Sequence, residues 1–193
     1  MGSIRSQARG KQQPVIQDQR PLAANRIILE EFDPDAPWHG HGGAIIEMAG
    51  FYAWDGGGQK LTEIAGGGEV QLRVDCRAER EINRPVIGLI LRDHLGQNIF
   101  GDNTYLAGCD TVQIVKEGEP ISAAFRFQMP YLAKGTYSFT FAVTEGTQDD
   151  HIQLRWIEDA LVMRVVESPV ARGIVGLPAK DVRIDLVPRS MTG

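Results

Sequence analysis

The stretch from Arg84 to Thr104, RPVIGLILRDHLGQNIFGDNT, constrains the fold of this chain more than any other segment. An apolar run from Val86 to Leu91 is typical of a strand that is buried on at least one face. The residues from Asp93 to Gly96 are those of a tight turn, after which Ile99-Phe100 begins a second strand. The segment therefore predicts a β-hairpin in an antiparallel sheet, with its polar residues serving the turn.

The period-two alternation of apolar and polar residues recurs along most of the chain. It is clearest from Glu69 to Arg77, where the apolar residues from Val70 to Cys76 share one face of a strand. A bulge is predicted near Gly50, and the short apolar run that begins at Ile27 predicts an edge strand. Further strands are predicted at Ile27 to Phe32, Ala44 to Trp54, Thr111 to Val115, Pro120 to Met129, Gly135 to Thr144 and Trp156 to Val166. About eight strands without helical periodicity predict an all-β fold, an antiparallel two-sheet sandwich of immunoglobulin-like or jelly-roll type.

The 193 residues divide into four predicted parts. Residues 1–26, rich in Gln, Arg, Pro and Gly, predict a linker or an added tail, and residues 27–167 hold the sandwich. Residues 168–180 are turn-rich and predict a connector. In residues 181–193, Val182, Ile184 and Leu186 alternate with polar residues, which predicts a last strand that folds back or exchanges with a partner chain.

Composition excludes several classes of function. A formal net charge of -5 gives no basic surface for nucleic acid. No segment approaches the roughly 20 apolar residues that span a bilayer, and the N-terminus lacks the apolar core of a signal peptide, so a cytoplasmic protein is expected. The two cysteines form no ligand cluster, and Cys76 alternates with apolar residues, which predicts a buried structural thiol.

Three blocks of sequence carry a family resemblance. They are the hairpin from Arg84 to Thr104, the run MPYLAKGTYSFTFAV from Met129, and the run DDHIQLRWIEDALVMRV from Asp149. In this order they resemble the carbohydrate-binding C-terminal domain of the ATP-binding subunit of O-antigen polysaccharide ABC transporters, called Wzt. The resemblance covers the chain from about Ala44 to Val166.

The resemblance implies a non-catalytic module that recognises the non-reducing end of a finished, lipid-linked O-antigen polysaccharide and so licenses its export. It also implies a homodimer with an exchanged C-terminal strand, and a place at the cytoplasmic face of the inner membrane beside the transmembrane subunit. The family's full-length subunit carries an ATPase domain, whereas this sequence has no GxxxxGK[ST] phosphate loop. No ATPase activity and no cofactor are therefore expected of this chain.

Sugar recognition needs aromatic faces and planar polar side chains on a rigid surface. If the three strands that contain Ala44 to Trp54, Glu69 to Arg77 and Pro120 to Met129 are neighbours, their outward residues form such a surface. The predicted carbohydrate-binding residues are Tyr52, Trp54, Gln71, Arg73, Arg126 and Gln128, with Glu47, Asp75 and Ser122 beside them. Two arginines beside an aromatic pair suit a glycan terminus with an anionic cap. The alternative is an ordinary solvated face with cross-strand ion pairs.

The opposite sheet offers a second candidate surface. Its predicted outward residues are Arg92, Ser138, Thr140, Thr144 and Arg164, with Tyr105 near the rim. The small side chains among them predict a shallow groove.

Other polar and aromatic residues favour structural roles. Asn103 and Asp159 are predicted to bind turn backbone, and Trp156 is predicted to fill the core. His39 and His41 suggest a metal pair, but no third ligand has fixed spacing, so a solvated loop is favoured. Paired carboxylates for glycoside hydrolysis cannot be placed from the sequence.

Two other functions stay open beside glycan binding. One is an assembly domain whose strand edges recruit protein without binding sugar. The other is a metal-dependent sugar-modifying enzyme that uses His39 and His41.

Overall fold

The computed structural model of the chain describes residues 25–54, 58–109 and 113–176. The described residues form strands and contain no α-helix, which confirms the all-β prediction. The strands in chain order are β1 Arg26–Leu29, β2 Trp38–His39, β3 Ala44–Tyr52, β4 Glu63–Ala65, β5 Glu69–Ala78, β6 Ile82–Asn83, β7 Pro85–Asp93, β8 Asn98–Asn103, β9 Ile114–Val115, β10 Pro120–Gln128, β11 Tyr131–Leu132, β12 Gly135–Gly146, β13 His151–Val165 and β14 Val175–Gly176. The strand predicted in residues 181–193 and most of the predicted N-terminal tail lie outside the described residues.

Two antiparallel sheets face each other. The larger has the order β4-β1-β13-β12-β7-β8, with β2 added at the side of β13, and the smaller has the order β10-β5-β3. Two short pairs, β11 with β14 and β6 with β9, lie apart from them. The pair β11–β14 lies partly inside the predicted connector, so that segment holds a short strand.

The core lies between the two sheets and is dominated by phenylalanine. Phe51 of the smaller sheet packs against Phe139 of the larger sheet with 5.8 Å between ring centroids. Phe139 also stacks on Phe141 of the same strand at 5.8 Å. Cys76 is buried in this core, as predicted, and burial raises the pKa of its thiol.

The predicted hairpin is present as β7 and β8. Its turn is held by the Asp93 carboxylate, whose Oδ1 accepts hydrogen bonds from the backbone N–H groups of Leu95 (2.9 Å) and Gln97 (2.8 Å). Gly96 adopts a φ of 78°, a left-handed conformation that favours glycine. The turn chemistry read from the sequence therefore matches the structure.

Two local predictions differ from the structure. The strand that begins at Arg26 is not at an edge, because β4 pairs with it on one side and β13 on the other. The irregularity in β3 lies between Ile46 and Met48 rather than near Gly50. Apolar periodicity identifies a strand but does not say which strands lie beside it. The extra residue at Glu47 shifts the alternation by one position, so that Ala49 and Phe51 point inward.

The long strand β13 is irregular at the centre of the larger sheet. Phe139 pairs with Leu161 and Phe141 pairs with Ile157, so three residues of β13, 158–160, lie opposite Thr140 alone. Within this bulge Asp159 has a φ of 51°. The Asp159 carboxylate accepts a hydrogen bond from the hydroxyl of Ser138 on β12 rather than from turn backbone.

Candidate functional site

The outer face of the smaller sheet brings most of the predicted binding residues together. Strand register places Tyr52, Gln71 and Arg126 in one row across β3, β5 and β10, and Arg73 lies in the next row between Gly50 and Ala124. Trp54 follows β3 and lies under the Arg126 guanidinium, whose Cζ is 5.4 Å from the ring centroid. The sequence therefore grouped these residues correctly on one face.

The polar groups of this face are bound mainly to one another. Arg73 donates to both carboxylate oxygens of Asp75 at 2.8 and 2.7 Å, and Ser122 Oγ donates to Asp75 Oδ1 at 2.6 Å. Burial alone would raise the pKa of Asp75, but these hydrogen bonds from Arg73 and Ser122 outweigh it and lower the pKa. Glu47, at the bulge in β3, pairs with Arg77 at 2.6 Å.

The aromatic and amide side chains of the face are also occupied. Tyr52 is only 7% exposed, and Arg73 lies over its ring with 5.6 Å from Cζ to the centroid. Arg126 Nε donates to Gln71 Oε1 at 2.8 Å, and Gln128 Nε2 donates to the carbonyl of Gly67 at 2.8 Å. Trp54, at 39% exposed, is the aromatic ring of the predicted set with the most free surface.

The outer face of the larger sheet carries a groove of about 310 Å³. Its floor follows from strand register, since Asn103, Gly88, Ala142 and Trp156 lie in one row across β8, β7, β12 and β13. The two small residues in the middle of this row leave a hollow between the polar side chain at one end and the indole at the other. Rows on either side complete the lining with Ile90 and Thr140, and with Val86, Thr144 and Gln153.

The turn between β12 and β13 forms a wall of this groove. Asn103 Nδ2 on β8 donates to Gln148 Oε1 in that turn at 2.9 Å. Because β7 lies between β12 and β8 in the sheet, the turn reaches across the outer face to make this contact. Leu106, which follows β8, and His151, which begins β13, also line the groove. Asn103 additionally accepts from the backbone N–H of Leu106, which is the predicted turn role.

Trp156 is not a core residue, which corrects the sequence-based assignment. It pairs with Ala142 on the outer side of the sheet, is half-buried, and lines the groove. Its Nε1 donates to Glu158 Oε1 at 3.3 Å, and Arg92 and His39 lie against the ring with centroid distances of 5.9 Å each. The bulge at residues 158–160 adds two residues to β13 and so preserves the alternation, with Ile157 inward and Trp156 outward. Counting back from the inward residues Leu161 and Met163 gives the same outward direction.

Of the residues predicted for this second surface, some line the groove and the others lie outside it. Thr140 and Thr144 line the groove. Arg92 lies beside it and is bound to Glu158 at 3.3 Å, a contact that lowers the pKa of Glu158. Ser138 is bound to Asp159, Arg164 lies 3.6 Å from Glu30, and Tyr105 lines a smaller neighbouring cavity of about 120 Å³.

Asn103, Gln148, Gln153 and His151 were not among the predicted site residues, although all four line the groove. The run DDHIQLRWIEDALVMRV, which carries part of the family resemblance, contains His151 and Gln153 and is the sequence signal in this region.

A metal centre is not indicated by the described part of the chain. Residues 25–54, 58–109 and 113–176 contain no group of three or more His, Cys, Asp or Glu side chains arranged to hold a metal ion. His39 packs on Trp156 instead. The same residues include no helix with the length and apolar character needed to cross a bilayer.

Comparison with known proteins agrees with this architecture. Over residues 35–177 the sequence matches the family described as the Wzt C-terminal domain. Among solved structures, the crystal structure of the C-terminal domain of Wzt superposes with a TM-score of 0.66 at 19% identity, covering 80% of this chain and 92% of that one. No curated protein matches the sequence. Because the family match spans well over half of its length, the chain belongs to the Wzt C-terminal domain family, a non-catalytic domain of O-antigen ABC transporters.

Proposed function

We propose that this chain is a carbohydrate-binding module that recognises the non-reducing end of a lipid-linked O-antigen polysaccharide and licenses its export. The observation that carries the proposal is the groove on the outer face of the larger sheet. In the full transporter the module would act at the cytoplasmic face of the inner membrane, joined to an ATPase domain and working with the transmembrane subunit.

The groove has the chemistry that sugar rings require. An indole on one side supports stacking of sugar C–H groups, and amides on the other side donate to and accept from hydroxyls. Trp156 supplies the indole, Asn103 and Gln148 supply the amides on the other side, and Gln153 adds an amide on the same strand as Trp156. The indole is held by its hydrogen bond to Glu158, which lowers the cost of ordering this one side chain when a ligand binds.

The smaller sheet remains the rival surface. Trp54, Arg73 and Arg126 are close together there, but Arg73 would have to leave Asp75 before it could bind an anionic cap. We favour the groove because its polar groups are less committed to internal ion pairs. The two surfaces each contain a tryptophan with a cationic neighbour, so matched substitutions distinguish them.

The test is calorimetric titration with O-polysaccharide purified from the organism that encodes this chain, capped and uncapped at its non-reducing end. Trp156→Ala should weaken binding roughly fivefold, because stacking on an aromatic side chain contributes on the order of 1 kcal/mol. Trp54→Ala should leave the affinity unchanged. Binding of the capped form alone would establish recognition of the chain end.

The opposite pattern, with Trp54→Ala harmful and Trp156→Ala silent, would move the site to the smaller sheet. If the wild-type chain binds neither polysaccharide form, the assembly-domain function replaces glycan recognition.

We also propose that the domain forms a homodimer in which residues 181–193 pair with the partner. The support is an open edge: β10 is nine residues long and, among the described strands, is bonded only to β5. Such an edge accepts a further strand from a second chain.

A further inference from the structure

We propose that the hydroxyl of Thr140 is a specificity-determining contact, kept free of internal partners so that it can bond an uncharged sugar residue in the groove. This inference rests on the proposed function and names the class of residue that the groove selects. It is carried by three features of the groove: an unpartnered buried hydroxyl, an empty side-chain position at Gly88, and the charge of the lining.

Thr140 is buried to an unusual degree for a polar residue on an outer sheet face. It is 1% exposed, lines the groove, and its Oγ1 has no hydrogen-bond partner among the described residues. Buried hydroxyls in folded proteins nearly always have partners, because an unmade hydrogen bond costs free energy. Because Oγ1 itself has almost no exposed surface, a ligand in the groove would complete the missing bond after a rotation of the Thr140 side chain.

The bulge in β13 explains why the hydroxyl has no internal partner. Thr140 lies opposite residues 158–160, where regular pairing with β13 is interrupted. The nearby Asp159 carboxylate accepts from Ser138 instead. In the bulge, Asp159 is therefore hydrogen-bonded to Ser138, the neighbouring outward residue of β12, and not to Thr140.

Gly88 provides room beside this hydroxyl. A Cβ added there would lie 3.4 Å from Asn103 Cβ, 3.6 Å from the carbonyl of Asp102 and 4.0 Å from Ala142 Cβ. These are ordinary contact distances, and no positive φ is recorded at Gly88, so the fold does not require glycine at this position. Gly101 differs, since a Cβ there would approach the carbonyl of Leu89 to 2.9 Å. The hollow at Gly88 is therefore free space that a sugar ring can fill.

The charge of the lining defines the ligand class. None of the described lining residues is Lys or Arg, and the neighbouring Arg92 is bound to Glu158. The Asp102 side chain lies on the other side of β8, because Asp102 pairs with the inward residue Leu89. Apart from His151, the described lining offers a phosphate or carboxylate no group that can carry a positive charge, whereas the hydroxyls of a neutral sugar would find amides and Thr140.

Two substitutions test the inference on the full chain with the purified O-polysaccharide as probe. Thr140→Val keeps the shape and removes the hydroxyl, so affinity should fall roughly threefold to tenfold. The melting temperature of the free protein should rise by about 2–4 °C, because an unsatisfied buried group is removed. Thr140→Ser keeps the hydroxyl and should retain most of the affinity. Gly88→Ala should leave the melting temperature unchanged or higher and weaken binding by filling the hollow.

The outcomes separate this inference from the proposed function. If the wild-type chain binds and Thr140→Val binds equally well, the role of the hydroxyl is wrong and the proposed function stands. A lower melting temperature for Thr140→Val would show a structural partner and would also overturn the inference. Chemical reduction of carboxylates and removal of phosphates on the polysaccharide should leave binding intact, and loss of binding would overturn the uncharged class. A wild-type chain that binds no polysaccharide would overturn both proposals.

Discussion

At the scale of single residues, Asp75 organises the outer face of the smaller sheet. Its carboxylate holds Arg73 and Ser122, and these hydrogen bonds lower its pKa below the usual aspartate range of roughly 3.9. A depressed folded-state pKa contributes stability that is present above the unfolded-state pKa and lost as pH falls through the folded-state pKa.

Asp75→Asn should therefore lower the free energy of unfolding at pH 7 by about 1 kcal/mol, since the charge-assisted bonds become neutral ones. Because wild type loses this contribution when Asp75 is protonated, the difference between the two proteins should shrink as pH falls below the ordinary pKa of an aspartate. Urea denaturation of both proteins across this range measures the difference. A gap that does not change with pH would show that the charge of Asp75 contributes nothing.

At the scale of elements, Asn25 joins the beginning of β1 to two later parts of the chain. The side chain is fully buried, donates to the carbonyls of Leu132 (2.9 Å) and Glu167 (3.0 Å), and accepts from the N–H of Leu132 at 2.9 Å. The folded part thus includes Asn25 and Arg26, which the sequence assigned to the tail.

Asn25→Ala should lower the free energy of unfolding by about 1–3 kcal/mol, because it leaves the buried N–H of Leu132 without its partner, whereas the carbonyls of Leu132 and Glu167 keep hydrogen bonds from Ser168 and Arg26. The control is Asn98→Ala, which removes an exposed amide that accepts one bond from Arg92 and should change stability by less than about 0.5 kcal/mol. Urea denaturation measures both. Equal effects would mean that solvent replaces the bonds of Asn25.

The sequence predicted the strands themselves better than it predicted which strands lie side by side. The alternation from Glu69 to Arg77 and the turn at Asp93 depend on local chemistry, and both match the structure. The binding surface was harder, because alternation back from Leu161 and Met163 places Trp156 outward but does not show which residues of other strands lie beside it. The sequence of one strand does not say which other strands it pairs with or in which register. The groove between β8 and β13 is therefore seen only in the assembled sheet.

At the scale of the whole molecule, the two outer faces differ in kind. The smaller sheet carries residues bound in ion pairs, and the larger sheet carries a groove whose described lining holds no Lys or Arg. We infer that the first face serves stability and the second serves recognition. The open edge of β10 adds a third surface, and the role proposed for it is tested by whether two chains form a dimer.

Deleting Lys180–Gly193 should convert a dimer to a monomer if the last strand supplies main-chain pairs in trans, because the loss of a paired strand removes most of the shared contact. Light scattering coupled to size-exclusion chromatography measures the mass. A dimer of unchanged mass after the deletion would rule out strand exchange as the main contact.

The buried amide of Asn25 also determines how the domain responds to mechanical force. Ile27 pairs with Val165 in antiparallel register, and Arg26 exchanges backbone hydrogen bonds with Val166 and Glu167, so the first and last strands of the larger sheet share one end. Tension applied between residues ahead of Asn25 and residues after Glu167 would therefore peel the two strands apart one bond at a time, rather than shear all their bonds together. The hydrogen bonds of Asn25 would carry this load first, so the contacts of this single amide would be the first in the sandwich to break under tension.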